Sequence, residues 1–172
     1  RMQIEQDHAD ILGGWLRGMT TGAPLVVQIA NRDWANWQGR ELPAVTTPRP
    51  GHADYAGARK YGLDDARPIL ERASARETAA RVAVGAVARA LLAEFGVAAG
   101  SYVEQIGAAR ATIPDLPLPA LWDLAEESDV RCPDPAGAAA MRAAIDAARA
   151  AGDSLGGLCV VGAIGLPVGL GS

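Results

Sequence analysis

Two short segments hold the residue types that could do chemistry. The first is Arg49-Pro50-Gly51-His52-Ala53-Asp54. The second, Arg72-Ala73-Ser74-Ala75-Arg76-Glu77-Thr78, begins about twenty residues after His52. An imidazole titrates near neutrality and can give or take a proton. The neighbours of His52 are polar or small, so it does not sit on an apolar stripe. The plainer reading is a loop histidine bonded to backbone. Arg49 beside it favours a nearby anion, while Asp54 can orient the imidazole or cap a turn. In the second segment, Arg72-Ala73-Ser74 runs into a helix start, where unpaired N–H groups and the helix dipole attract anions. Arg76 falls in the first turn, where a cation opposes the dipole. It implies either an anion to hold or a pair with Glu77 or Asp65.

Positioning these groups requires a helix directly after Ser74. Ser74 followed by Glu77 is the signature of a capping box, and an Ala-rich stretch with Val82, Val87, Leu91 and Leu92 runs to Gly96. The expected helix spans 74–95. So many small residues imply that it is sandwiched on more than one side. A second Ala-rich helix is expected over 135–151, started by Asp134-Pro135 and stopped by Gly152. Residues 11–16, 23–30, 101–108 and 158–166 read as strands, and 2–6 alternate weakly. Residues 31–50 form a long Trp- and Pro-containing connection, a place where function often sits. Residues 112–131 read as a Pro-rich connection. Strands come in a group and then alternate with helices. The fold class is therefore α+β, with antiparallel sheets packed on Ala-rich helices. Residues 1–172 are expected to be one partial domain with no internal linker.

Other motifs are weaker. His8 between Asp7 and Asp10 could be taken for a metal cluster, but such a stretch is more often a solvated turn, and no metal is expected. The tail from Gly162 to Gly171 matches neither dinucleotide nor P-loop spacing; a strand and a glycine-rich turn explain it. Trp15, Trp34, Trp37 and Trp122 could stack a ring, but tryptophans are more often packing residues. Cys132 and Cys159 are the two cysteines, with no CxxC spacing. That fits a reduced cytoplasmic compartment. The net charge of −4 argues against general nucleic-acid or membrane-surface binding. Fifteen arginines stand against one lysine, Lys60. A GC-rich genome explains that bias, and arginine forks also suit phosphate and carboxylate. No apolar run reaches the roughly 18 residues of a membrane span.

Taken in order, several blocks resemble the chorismate synthase family. The most specific are Arg49 to Asp54, Lys60-Tyr61-Gly62 and Glu71 to Val82. Arg1 to Asp7, Ile11 to Gly14, Thr20 to Leu25, Asn31 to Trp34, Gly152 to Gly157 and Gly165 to Gly171 support them. The resemblance implies a sandwich of helices between antiparallel sheets and a cytoplasmic homotetramer. It implies a lyase of the shikimate pathway that makes chorismate from 5-enolpyruvylshikimate 3-phosphate. The reaction is a 1,4-anti elimination of phosphate requiring reduced FMN, with NADPH as a candidate reductant. By the same resemblance His52 is the catalytic histidine beside the flavin. Arg72, Ala73 and Ser74 are FMN-contacting positions, and Arg49 and Arg76 hold the substrate's phosphate or carboxylates. The family's opening Gly-Glu-Ser-His-Gly segment, its early arginines and its second-half flavin contacts have no counterpart here. The chain is thus expected to be the first half of the enzyme without its start, inactive by itself. The rival expectation is a non-catalytic folding or assembly module that binds no flavin.

Overall fold

The computed structural model describes residues 8–171. The weak alternation at 2–6 lies outside them. The chain divides into two compact units, Arg1–Ala88 and Arg89–Ser172.

In the first unit, β1 (Ala9–Gly13) pairs antiparallel with β4 (Val26–Ile29). Between them β2 (Trp15–Leu16) and β3 (Met19–Thr20) close a small hairpin. A single 3₁₀ turn, Arg32–Asn36, follows. Asp33 holds it by accepting from Asn36 Nδ2 at 2.8 Å and Trp37 Nε1 at 2.6 Å. Then come α1 (Asp54–Tyr61), ended by Gly62 at φ +65°, and the short α2 (Arg67–Leu70). The long helix α3 (Ala75–Ala93) begins in this unit.

Three expectations change here. Ser74 stands at the helix start, and its carbonyl accepts from Thr78 N at 3.0 Å. Its φ of +57° is not the extended conformation of a capping box, and Glu77 pairs forward with Arg81 at 2.7 Å instead of reaching back. Second, α3 buries none of its residues, and Val82 and Val84 are two-thirds exposed. Among the described residues nothing sandwiches it. Third, of the tryptophans expected to pack in a core or an interface, Trp15, Trp34 and Trp37 are exposed and so stand outside the core.

The second unit is a three-stranded antiparallel sheet in the order β6-β5-β7, with two helices on it. The central strand β5 (Ala98–Ile106) pairs with β6 (Ala109–Arg110) and with β7 (Gly157–Ile164). A bulge at Glu104 lets its carboxylate meet Arg110 at 2.6 Å. Helix α4 (Leu118–Glu126) lies inside the stretch read as a connection. Pro117 is its N-cap and Pro119 sits in its first turn, where a missing N–H costs nothing. Leu118, Leu121 and Ala125 then form the stripe that faces Tyr102. Helix α5 (Pro135–Ala151) matches its expected span, with Asp134 Oδ1 accepting from Ala136 N at 3.0 Å. Ala138 and Met141 of α5 close the second cluster, with Ala111 and Cys132. Trp122 lies flat on Gly100 and Gly162, which face each other across β5 and β7; a Cβ at Gly100 would overlap the indole. Cys132 is buried and Cys159 exposed, both free. These antiparallel sheets with helices on one face are an α+β architecture.

Candidate functional site

The 49–54 loop is a closed polar turn. Asp54 is fully buried, and its carboxylate takes three donors from one residue. Arg49 backbone N lies at 3.0 Å and Nε at 2.8 Å from Oδ2, while Nη2 lies at 2.9 Å from Oδ1. Hydrogen bonds from the Arg49 guanidinium hold the Asp54 carboxyl far below the usual carboxylate range, and the same pairing raises the Arg49 side chain. Asp54 therefore orients the arginine. The histidine is turned by other means. His52 N donates to Arg49 O at 3.4 Å, and His52 Nδ1 lies 2.9 Å from Pro50 O. A carbonyl only accepts, so Nδ1 carries the proton and Nε2 is left exposed to exchange one.

The second cluster follows α2. Gly57 of α1 packs on Ile69 of α2, where a Cβ would come within 2.5 Å of Ile69 Cγ2. Asp65 ties the connection between these helices down, accepting from Arg67 N at 2.9 Å and Val45 N at 2.7 Å. These bonds keep its carboxyl below the usual range. Arg72 N and Ala73 N then donate to Ile69 O and Leu70 O, turning the chain into Ser74. Ser74 at φ +57° is a non-glycine residue in the left-handed region. Such a conformation costs free energy and recurs at functional sites. Arg76 pairs with Glu71 at 2.8 Å, not with Glu77 or Asp65. That carboxylate resolves the conflict between a first-turn cation and the helix dipole.

The six expected site residues thus form two groups: Arg49 with His52, and Arg72-Ala73-Ser74 with Arg76. Among the described residues no hydrogen bond or ion pair joins the groups. Arg49 and Arg76 each hold a carboxylate, whereas the Arg72 side chain is exposed and has no such partner among the described residues.

A cleft of about 760 Å³ lies in the same unit, between the 27–36 segment and α3. Arg76 lines it, with Asn31, Arg32, Asp33 and Asn36 on one wall and Ala79, Ala80 and Ala83 on the other. The polar wall was legible only as a long connection. Its residues come together through the 3₁₀ turn, which has no strong local signature. His8, weighed above as a metal ligand, instead accepts from Arg32 Nη2 at 3.1 Å and lies 3.8 Å from Asp10.

Comparison with known proteins places the chain in a family. The family model described as chorismate synthase matches residues 1–172. This chain belongs to the chorismate synthase family. A chorismate synthase of Desulforudis audaxviator is 52% identical over 181 residues, covering 100% of this chain and 46% of that protein. One from Symbiobacterium thermophilum is 50% identical over 187 residues, covering 100% of this chain and 48% of that protein. A solved chorismate synthase structure superposes with a TM-score of 0.79 at 40% identity, covering 96% of this chain and 47% of the other. The chain spans about half the length of the curated relatives it matches. Its fold is accordingly the α+β fold of chorismate synthase. No helix of the described residues is long and apolar enough to cross a membrane.

Proposed function

We propose that this chain carries part of a chorismate-forming active site. The reaction eliminates phosphate from 5-enolpyruvylshikimate 3-phosphate, in a lyase of aromatic amino acid biosynthesis. The observation that carries the reading is the match along the whole chain, with chorismate synthases at 52% and 50% sequence identity.

The residues fit an anionic cofactor. Arg72 is an exposed cation without a carboxylate partner among the described residues, and the first N–H groups of α3 after Ser74 have no intrahelical acceptors. Arg72, Ala73 and Ser74 would hold FMN. Reduced FMN supplies the electron density that eases departure of phosphate. Beside it His52 keeps Nδ1–H on the Pro50 carbonyl and offers Nε2 for the proton. Arg49 keeps Nη1 free of Asp54, and with Arg76 it meets the phosphate or carboxylates of the substrate. NADPH as reductant, a homotetrameric assembly and a cytoplasmic location complete this reading by family likeness. Residues 1–172 are taken as one partial domain, because α3 (Ala75–Ala93) runs through the division between the two units.

Two observations favour a second reading, a non-catalytic folding or assembly module. Arg49 and Arg76 both hold carboxylates, and large apolar side chains such as Val161 are three-quarters exposed. An anaerobic titration with reduced FMN, followed by substrate, separates the two. The 172-residue chain by itself is expected to bind FMN weakly and release no chorismate, whereas the module reading expects no FMN binding at all. In the full-length gene product, His52→Ala is expected to lower turnover by about 10²–10⁴-fold with little change in FMN affinity. Unchanged turnover there would remove His52 from the mechanism.

A further inference from the structure

We infer that Asp54 is a positioning residue for the site, a single buried carboxylate that sets where Arg49 and, through the turn, His52 present their free nitrogens. The inference rests on the reading above that Arg49 and His52 act on substrate and cofactor. Asp54 is the buried charged residue of the described chain, with no exposed surface. Its three acceptor contacts all come from Arg49, and they differ in kind. The backbone N–H at 3.0 Å fixes the start of the loop. Nε and Nη2, at 2.8 and 2.9 Å, grip the guanidinium as a two-point fork. A forked contact of this type fixes the plane of the guanidinium as well as its position. With Nε and the inner edge of Nη2 committed, Arg49 has Nη1 and the outer Nη2 hydrogen left for a ligand.

The same carboxylate defines the histidine's frame. Asp54 opens α1 and Arg49 opens the loop, so their contact closes a ring of six residues around Gly51 at φ +71°. Within that ring His52 N reaches Arg49 O, and Nδ1 reaches Pro50 O. Releasing Arg49 from Asp54 lets the two carbonyls that define the imidazole's orientation move. A buried carboxylate contacting neither ligand thereby fixes two groups that do. The partner it holds is also the reason it stays charged inside the unit.

Asp54→Asn and Asp54→Glu in the full-length gene product test this. Turnover is measured with reduced FMN, and the folded fraction is followed in parallel. Arginine Nε–H and histidine ring nitrogens are read by ¹⁵N NMR. In Asp54→Asn the protected Arg49 Nε–H resonance is expected to disappear, and His52 to lose its single Nδ1–H tautomer. KM for the phosphorylated substrate is expected to rise by as much as about 10²-fold, the scale for a misplaced positioning group. A purely structural role would lower kcat in proportion to the folded fraction and leave KM unchanged, and that outcome overturns the inference. So does an Asp54→Asn protein with the Arg49 resonance and KM intact. Should Asp54→Asn not fold, Asp54→Glu carries the test. It keeps the charge and shifts the guanidinium by one methylene, so KM should rise with the folded fraction unchanged. Arg49→Ala and His52→Ala with undiminished turnover, beside the expected NMR changes, would overturn the functional reading and leave Asp54's anchoring in place.

Discussion

The two units of this chain are held together by different physics. Between Arg89 and Gly171 the structure rests on apolar burial, with Tyr102, Leu121, Ala125, Ala138 and Met141 nearly or wholly out of solvent. Between His8 and Ala88 the buried residues are Ala66 and Asp54, and order comes from polar staples. Asp54 grips Arg49, Asp65 takes two backbone donors, and Arg67 Nη2 reaches Pro43 O at 2.7 Å. Every candidate site residue lies in this second kind of structure. Polar staples fix direction sharply but add little net stability, since each replaces bonds to water. Regions that bind ligands are commonly drawn from the less stable end of a fold. Amide hydrogen exchange should show it directly, with α1 and the 49–54 loop exchanging well before β5 and α5. Equal protection in the two units would break the comparison.

The largest effect is expected from Met141→Ala, which empties a fully buried site between α5 and the sheet. A loss of about 2–5 kcal/mol should appear in denaturant unfolding, with protection of β5 and α5 lost first. Gly100→Ala should cost about 1–3 kcal/mol by forcing the Trp122 indole off the sheet. Gly57→Ala in the other unit meets only the half-buried Ile69 and should cost less. Near parity between these two variants would mean that the α1–α2 contact is as rigid as the core.

Acid sharpens the comparison from the other side. The native Asp54 carboxyl is held below its ordinary value, chiefly by hydrogen bonds from Arg49. A depressed native value stabilises the fold above the unfolded pKa of about 3.9. That contribution is lost as pH falls below this value towards the native one. Asp65, held down chiefly by the Arg67 N–H, acts in the same sense. Protection of α1 should therefore fall as the pH drops below about 4 in the parent, and less steeply in Asp54→Asn. The smallest change in stability is expected from Val82→Ser and Val161→Ser, within about 0.5 kcal/mol. Both side chains are already well exposed, at 67% and 75%. Their effect should lie in self-association, which exposed apolar surface promotes. Sedimentation of the 172-residue chain should show less oligomer in both variants.

Much of this protein can be read from local pattern. Asp134-Pro135 and Gly152 mark both ends of α5 because caps and φ-restricted residues act within one turn. The strands expected at 101–108 and 158–166 stand at Ala98–Ile106 and Gly157–Ile164, and the ordered motif blocks carry the resemblance to the family that the whole-chain match bears out. α4 was hidden because its prolines read as breakers, and only their placement at the first turn makes them compatible with a helix. The capping box at Ser74 failed for the converse reason. Its spacing is right, but the turn after α2 delivers Ser74 at φ +57°, and Arg81 competes for Glu77. Sequence alone determined which residues could do chemistry at the site: one histidine and several arginines beside a helix start. Tertiary structure alone decided that Asp54 is buried against Arg49 rather than turned to His52, and that Arg76 answers to Glu71. Side-chain partners depend on which groups folding brings within about 3 Å and strips of water, and spacing along the chain does not carry that information.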